Sequence, residues 1–198
     1  MPVREALRLL AAERALTMCP NRSVTVPRLS RAETLSISAT RQMLEGHAAA
    51  VAASLITDAE VERLAALQAE LAAARPRGDS RRIQAAKEEF HFLVYDAACI
   101  PVLADITAML WLHSTPTLAF FFRAARKLHE YSETQNRNNL ALVASLRQRD
   151  AEGARHAIEA EIVAGSRLPD RLMREAKSGE AAVTPRGRRP KPRTGKAG

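Results

Sequence analysis

Residues 30–60 read SRAETLSISATRQMLEGHAAAVAASLITDAE, and two helix-start signals bracket this segment. Ser30 with Glu33, and Thr57 with Glu60, each have the spacing of a capping box. In that motif a hydroxyl and a carboxylate satisfy the first free N–H groups of a helix. The sequence therefore predicts a long helix that ends near Leu55, followed by a second helix.

Further helices follow with short loops between them. Pro76-Arg-Gly78 is expected to end the second helix near Ala74, because proline and glycine disfavour helix interiors. Pro116 is expected to break or kink a later helix for the same reason. The other predicted helices cover about 79–98, 101–130, 133–148, 150–166 and 169–177. Residues 29–177 are therefore predicted to form an all-α, antiparallel helical bundle.

The N-terminal residues have a different pattern. Pro2 suits the first turn of a helix, and Leu7, Leu10 and Ala11 share one face of it. Alternating residues at 17–19 and 23–26 flank a turn and predict a small β-hairpin. Residues 1–28 are therefore predicted to form a separate unit of one helix and one hairpin.

Composition excludes several classes of protein. Hydrophobic residues make up 46% of the 198 residues and aromatic residues only 4%, which favours helices. Residues 178–198 carry six basic residues and one acid, so +5 of the net charge of +8 belongs to a tail that we expect to be disordered. Two cysteines and the lack of an 18-residue apolar run favour a reduced, cytoplasmic chain without a membrane span. Trp111 and Phe120–Phe122 are interpreted as core or dimer interface.

Six segments, in order, carry a resemblance to a known family. Residues 2–10, PVREALRLL, resemble the DNA-recognition helix of GntR-type bacterial transcription regulators, and residues 16–28, LTMCPNRSVTVPR, resemble the wing that follows it. Four later segments are similar to the C-terminal ligand-binding domain of the FadR subfamily: Arg41–Glu45, Phe90–Phe92, Leu110–Pro116 and Leu142–Asp150. The resemblance covers about residues 2–166. It implies a homodimer that binds operator DNA and a small carboxylate metabolite.

The resemblance begins at the third helix of the family's winged helix-turn-helix. It therefore implies that residues 1–28 are only part of a DNA-binding domain. We expect either that the true start lies upstream of Met1 or that the chain is truncated and binds DNA poorly; the intact recognition helix favours the former. Arg4, Asn21 and Arg22 match the DNA-contacting positions of the helix and the wing tip.

Polar residues interrupt four apolar helix faces where a core is predicted. Lys87 and His91 lie four residues apart on one face, and Arg41, Asn139 and Glu161 lie on apolar faces of three other helices. Because buried polar groups need partners, we expect these five side chains to meet in one polar cavity that binds the effector.

The resemblance also implies a divalent metal held at the positions of Lys87, His91, Asn139 and Glu161. An ammonium group donates hydrogen bonds and does not ligate a cation, so the site is degenerate and we predict weak or absent metal binding. Lys87 is expected either to pair with Glu161 or to bind a carboxylate effector together with Arg41 and His91.

The sequence therefore predicts a ligand-responsive, DNA-binding transcription regulator. The alternative is a stand-alone ligand-binding and dimerisation module that has lost DNA binding. An enzyme is not predicted, because the sequence contains no nucleophile–base pair or phosphate-binding loop.

Overall fold

The computed structural model describes the backbone of residues 2–12, 15–19, 23–27, 29–124 and 129–181. Within these ranges it describes every side chain except those of residues 80, 115–124, 129–130 and 169–181. Its elements, in chain order, are α1 Pro2–Ala12, β1 Thr17–Met18, β2 Val24–Thr25, α2 Arg31–Leu55, α3 Asp58–Arg77, α4 Ser80–Ala97, α5 Pro101–Ala124, α6 His129–Arg147 and α7 Ala151–Ala181. The predicted helical bundle with a preceding helix and hairpin is confirmed.

Helices α2 to α7 enclose one hydrophobic core. α7 packs against α2 and α6, α3 packs against α4 and α6, and α5 contacts α2 and α4. Four alanines of α2 are fully buried at the centre, which allows neighbouring helices to approach closely: Ala48, Ala49, Ala52 and Ala53. Larger side chains, among them Leu64, Leu71, Phe90, Leu142 and Ile158, fill the space around them.

Both predicted capping boxes are present. The Ser30 N–H donates to Oε2 of Glu33 at 2.8 Å, and the Glu33 N–H donates to Oγ of Ser30 at 3.2 Å. At α3 the corresponding distances between Thr57 and Glu60 are 2.8 and 3.3 Å. These local contacts fix the starts of α2 and α3.

The helix end predicted near Ala74 is wrong, and the break predicted as one alternative at Pro116 is absent. α3 continues through Pro76 and ends at Gly78, whose φ of 64° closes the helix in the left-handed conformation. α5 likewise continues through Pro116. A proline costs a helix about 3 kcal/mol, an amount that burial of the surrounding helix can offset.

The C-terminal helix is longer than predicted. α7 is one helix from Ala151 to Ala181, not two helices that end at residues 166 and 177. Leu168, just before Pro169, is fully buried, so tertiary packing holds the helix together where local propensity does not. Residues 178–181 of the expected tail are helical, and residues 182–198 lie outside the described residues. No described helix combines the length and the hydropathy that crossing a bilayer requires.

The N-terminal unit has the predicted helix and hairpin. β1 and β2 are antiparallel, with Thr17 opposite Thr25 and Met18 opposite Val24. The Leu10 carbonyl accepts hydrogen bonds from the N–H groups of Ala15 and Leu16, which ties α1 to β1. None of the described residues of α1 is buried. The apolar face of α1 therefore remains partly exposed.

Candidate effector-binding site

An open-mouthed cavity lies where α2, α4, α5 and α7 converge. Its empty space, mouth included, is about 620 Å³. Three charged side chains line it, namely Arg41 from α2, Lys87 from α4 and Glu161 from α7. The rest of the wall combines hydroxyl and amide groups with apolar side chains: Thr34, Ser38, Gln84, Ser114, Ser166, Leu29, Ile37, Trp111 and Ile162. This mixed lining suits a small polar ligand.

Glu161 forms an ion pair inside the cavity wall. Nζ of Lys87 lies 2.6 Å from its Oε1, and Nε2 of His91 lies 3.5 Å from its Oε2. Burial raises the pKa of Glu161, but the charge of Lys87 and then that of His91 outweigh burial, and the pKa is well below the ordinary value. Glu161 is therefore an anion inside the bundle.

A second ion pair lies along α2. Nε of Arg41 donates to Oε1 of Glu45 at 2.5 Å, and Nη2 donates to Oε2 at 3.3 Å. Burial lowers the pKa of the Arg41 guanidinium, but the Glu45 carboxylate outweighs burial and the pKa is above its usual value. The guanidinium also lies 4.9 Å from the centre of the Trp111 ring, within range of a cation–π contact.

Tyr95 connects the two ion pairs. Its hydroxyl donates to Oε2 of Glu45 and lies 3.2 Å from Nδ1 of His91. Burial and then the charge of Glu45 raise the pKa of Tyr95 well above 10, so it stays a neutral donor. A continuous polar chain therefore runs from Arg41 to Lys87 through the core.

The structure brings together most of the side chains expected at one cavity. Arg41, Lys87 and Glu161 line it, and His91 contacts Glu161 from a buried position. The predicted pairing of Lys87 with Glu161 is confirmed. Asn139 is buried on α6, as expected of an inward-facing residue, but it is not among the described lining residues, so its part in effector binding stays a prediction. α6 packs mainly against α7 and α3.

Two members of the polar chain, Glu45 and Tyr95, and the place of Trp111 at the cavity were not predicted from the sequence. Glu45 lies four residues after Arg41, and Tyr95 lies four residues after His91, so helical spacing could have indicated both. Trp111, expected in the core or a dimer interface, is buried and lines the cavity. Its contact with Arg41 joins helices distant in sequence and has no local signal.

The residues at the implied metal positions do not fit a divalent cation. His91 and Glu161 could ligate a metal ion and Asn139 offers a neutral amide oxygen, but the Lys87 ammonium beside Glu161 would repel a dication. The described part of the chain contains no group of three or more His, Cys, Asp or Glu residues arranged to hold a metal ion. A metal-free cavity stays a prediction.

Of the residues expected to contact DNA, only Arg4 is described. It is exposed in the first turn of α1. Asn21 and Arg22, at the predicted wing tip, lie outside the described residues. A second cleft lies between the N-terminal unit and α2, lined on one side by Leu16, Thr17 and Met18. Leu29 and Ile37 line both this cleft and the charged cavity.

Comparisons with known proteins agree on one family. A family model described as FCD domain matches residues 36–164. The chain is 32% identical over 159 residues to the HTH-type transcriptional regulator McbR of Escherichia coli (strain K12), which covers 79% of this chain and 70% of that protein. These relatives are transcription regulators, not enzymes.

Solved structures give the same result. The E. coli McbR/YncC structure is similar with a TM-score of 0.76 and 28% identity, covering 87% of this chain and 83% of that one. A GntR family member from Pseudomonas syringae pv. tomato str. DC3000 has a TM-score of 0.60 at 20% identity, covering 91% and 73% of the two chains. At that lower identity the similarity shows the fold alone.

Proposed function

This chain belongs to the GntR family of transcription regulators, in the FadR-like group with a C-terminal FCD domain, and from that premise we propose that a small carboxylate metabolite in the helical cavity controls its binding to operator DNA. The observation that carries the proposal is the presence of two cationic side chains, Arg41 and Lys87, on different helices around one cavity. A carboxylate between them would receive charge-assisted hydrogen bonds from both. The protein would act in the cytoplasm, where bacterial DNA lies.

Leu29 and Ile37 supply a route from the cavity to the DNA-binding unit. Both side chains separate the cavity from the cleft beneath the hairpin. Leu29 comes directly before Ser30, the N-cap of α2, so its displacement would also shift the connection to β2. A ligand that prefers one position of Leu29 would thereby bias the orientation of α1 and the wing.

Arg4, with Asn21 and Arg22, is proposed to contact operator DNA. Arg4 is exposed at the N-terminal end of α1, the end by which recognition helices enter the major groove. We expect Arg4→Ala to weaken DNA binding while ligand binding is unchanged.

We also propose a homodimer. Val102, Ile106 and Met109 form an exposed apolar stripe on α5, and α2 beside it exposes Leu35 and Met43. A second copy would bury both surfaces. Light scattering should show a dimer that Ile106→Asp weakens, whereas Leu140→Asp on α6 should not.

The test of function combines ligand and DNA binding. The purified protein would first select binding sites from a pool of random DNA duplexes. Small mono- and dicarboxylates, amino acids among them, would then be screened by thermal shift, and each stabilising compound would be added to the selected complex. We expect at least one carboxylate to change the dissociation constant for DNA. Carboxylate binding without any selected DNA would instead favour the stand-alone module, and no carboxylate binding would contradict the proposal.

A further inference from the structure

The charges that face the cavity are already neutralised by one another. Lys87 is paired with Glu161 at 2.6 Å, and Arg41 is held by both oxygens of Glu45. Glu45 lies behind the wall, so the lining itself carries two cations and one anion, but each cation already has a carboxylate partner. This balance restricts the kinds of ligand that can enter without leaving a charge unpaired.

A simple anion would disturb this balance. To pair with Lys87 it must compete with Glu161, whose side chain is only 4% exposed. A displaced Glu161 carboxylate would be left buried with reduced compensation, which is strongly unfavourable. A simple cation that paired with Glu161 would instead displace the Lys87 ammonium from its carboxylate partner.

A ligand that carries both charges avoids this cost. Its carboxylate replaces Glu161 as the partner of Lys87, and its ammonium replaces Lys87 as the partner of Glu161. Because the two protein groups are in direct contact, the ligand's charges must also be close together. An α-amino acid has its ammonium and carboxylate on one carbon atom and meets that requirement.

We propose that the effector is an α-amino acid, bound as a zwitterion by insertion between Lys87 and Glu161; this inference rests on the proposed function of the cavity. Glu161 is the only one of the two paired carboxylates that can receive the ammonium. Glu45 is fully buried, is not among the described lining residues, and already accepts hydrogen bonds from Arg41 and Tyr95. Arg41 lines the cavity and supplements Lys87 at the ligand's carboxylate.

The remaining wall indicates an apolar side chain on the amino acid. Leu29, Ile37, Trp111 and Ile162 provide apolar surface next to the charged groups. Aliphatic or aromatic amino acids would bury that surface, whereas glycine would leave it exposed.

The test compares ligands that differ in one charge. L-leucine, its 2-hydroxy acid analogue and 3-methylbutylamine share the same side chain but carry both charges, the carboxylate only or the ammonium only. Matching sets are made for valine and phenylalanine. Calorimetry and thermal shift on the full chain should show that at least one amino acid binds, and that its hydroxy acid and amine bind about tenfold more weakly or worse.

Variants identify the group that recognises the ammonium. Glu161→Gln should weaken amino acid binding about tenfold and remove the preference for the amino acid over its hydroxy acid. Glu62→Gln, at an exposed carboxylate paired with Arg147, is the matched control and should leave both affinities unchanged. The wild-type comparison remains decisive if the Glu161 variant is unstable.

The outcomes separate this inference from the proposed function. Hydroxy acids that bind as tightly as amino acids, or the failure of every amino acid set to bind, would overturn the zwitterion proposal. Amino acid binding that leaves DNA affinity unchanged would support the zwitterion proposal and contradict control of DNA binding.

Discussion

The ammonium of Lys87 on α4 lies 2.6 Å from a carboxylate oxygen of Glu161 on α7, and both side chains are largely shielded from solvent. This pair joins two helices at the wall of the cavity. It also occupies positions at which the family resemblance implies metal ligands. The stability, metal binding and ligand preference of this protein all depend on it.

Removing one partner of this pair should be costly. Lys87→Met leaves the Glu161 carboxylate buried and under-compensated, so we expect the free energy of unfolding to fall by about 3–5 kcal/mol. Adding Glu161→Gln to that variant should recover most of the loss, because no unpaired charge remains. Urea unfolding of the wild type, both single variants and the double variant measures the coupling.

The exposed pair of Arg63 and Glu89 is a control for the pair at the cavity. Its atoms approach to 2.5 Å, but about half of each side chain is exposed. Arg63→Met should therefore cost less than about 1 kcal/mol. Equal losses at the two pairs would contradict a special role for burial at Glu161.

The depressed pKa of Glu161 predicts a loss of stability in acid. In the unfolded chain Glu161 has its ordinary pKa of 4.5 and is protonated below that pH, whereas in the folded protein its carboxylate stays ionised to lower pH. The contribution of Glu161 is therefore present above about pH 4.5 and is lost as pH falls toward the folded-state pKa. Melting temperatures measured in steps below pH 5 should decline more steeply for the wild type than for Glu161→Gln. Parallel curves would show that Glu161 is not the group responsible.

Divalent metals should not stabilise the wild-type protein. The Lys87 ammonium opposes a cation next to His91 and Glu161. Lys87→Asp replaces it with a carboxylate, and saturating zinc, nickel or manganese should then stabilise the variant by about 2.7 kcal/mol or more. Thermal shift with and without a chelator measures both effects. A large stabilisation of the wild type would refute the metal-free prediction.

Leu29 should carry the signal between the cavity and the DNA-binding unit. In Leu29→Ala we expect the affinity for the effector to change by less than about threefold. An allosteric effector typically changes the affinity at the second site by about five- to 150-fold, and we expect most of this effect on DNA affinity to be lost in the variant. Leu140→Ala, at an exposed site on α6 outside the proposed dimer surface, should retain the full influence. Fluorescence anisotropy of labelled DNA at several effector concentrations makes the comparison. Full coupling in Leu29→Ala would exclude this route.

Local signals were sufficient for much of the fold. The Ser30 and Thr57 capping boxes act within one helical turn, so the starts of α2 and α3 were readable from the sequence. The helix breaks expected at Pro76 and Pro169 are absent, because the packing of the surrounding helix outweighs the local penalty. The end of α7 is therefore not predictable from the residues near it, whereas Gly78 is a local signal for the end of α3.

At the site, helical periodicity alone placed Arg41, Lys87, His91 and Glu161 on inward faces, since the side-chain direction along a helix follows from residue spacing. Only the packing of α2, α4, α5 and α7 decided which of these groups meet. It places the Trp111 ring next to the Arg41 guanidinium and the Tyr95 hydroxyl within hydrogen-bonding distance of Glu45. Spacing within a helix fixes direction, whereas contacts between helices depend on how the whole core is filled, and no single segment of the chain contains that information.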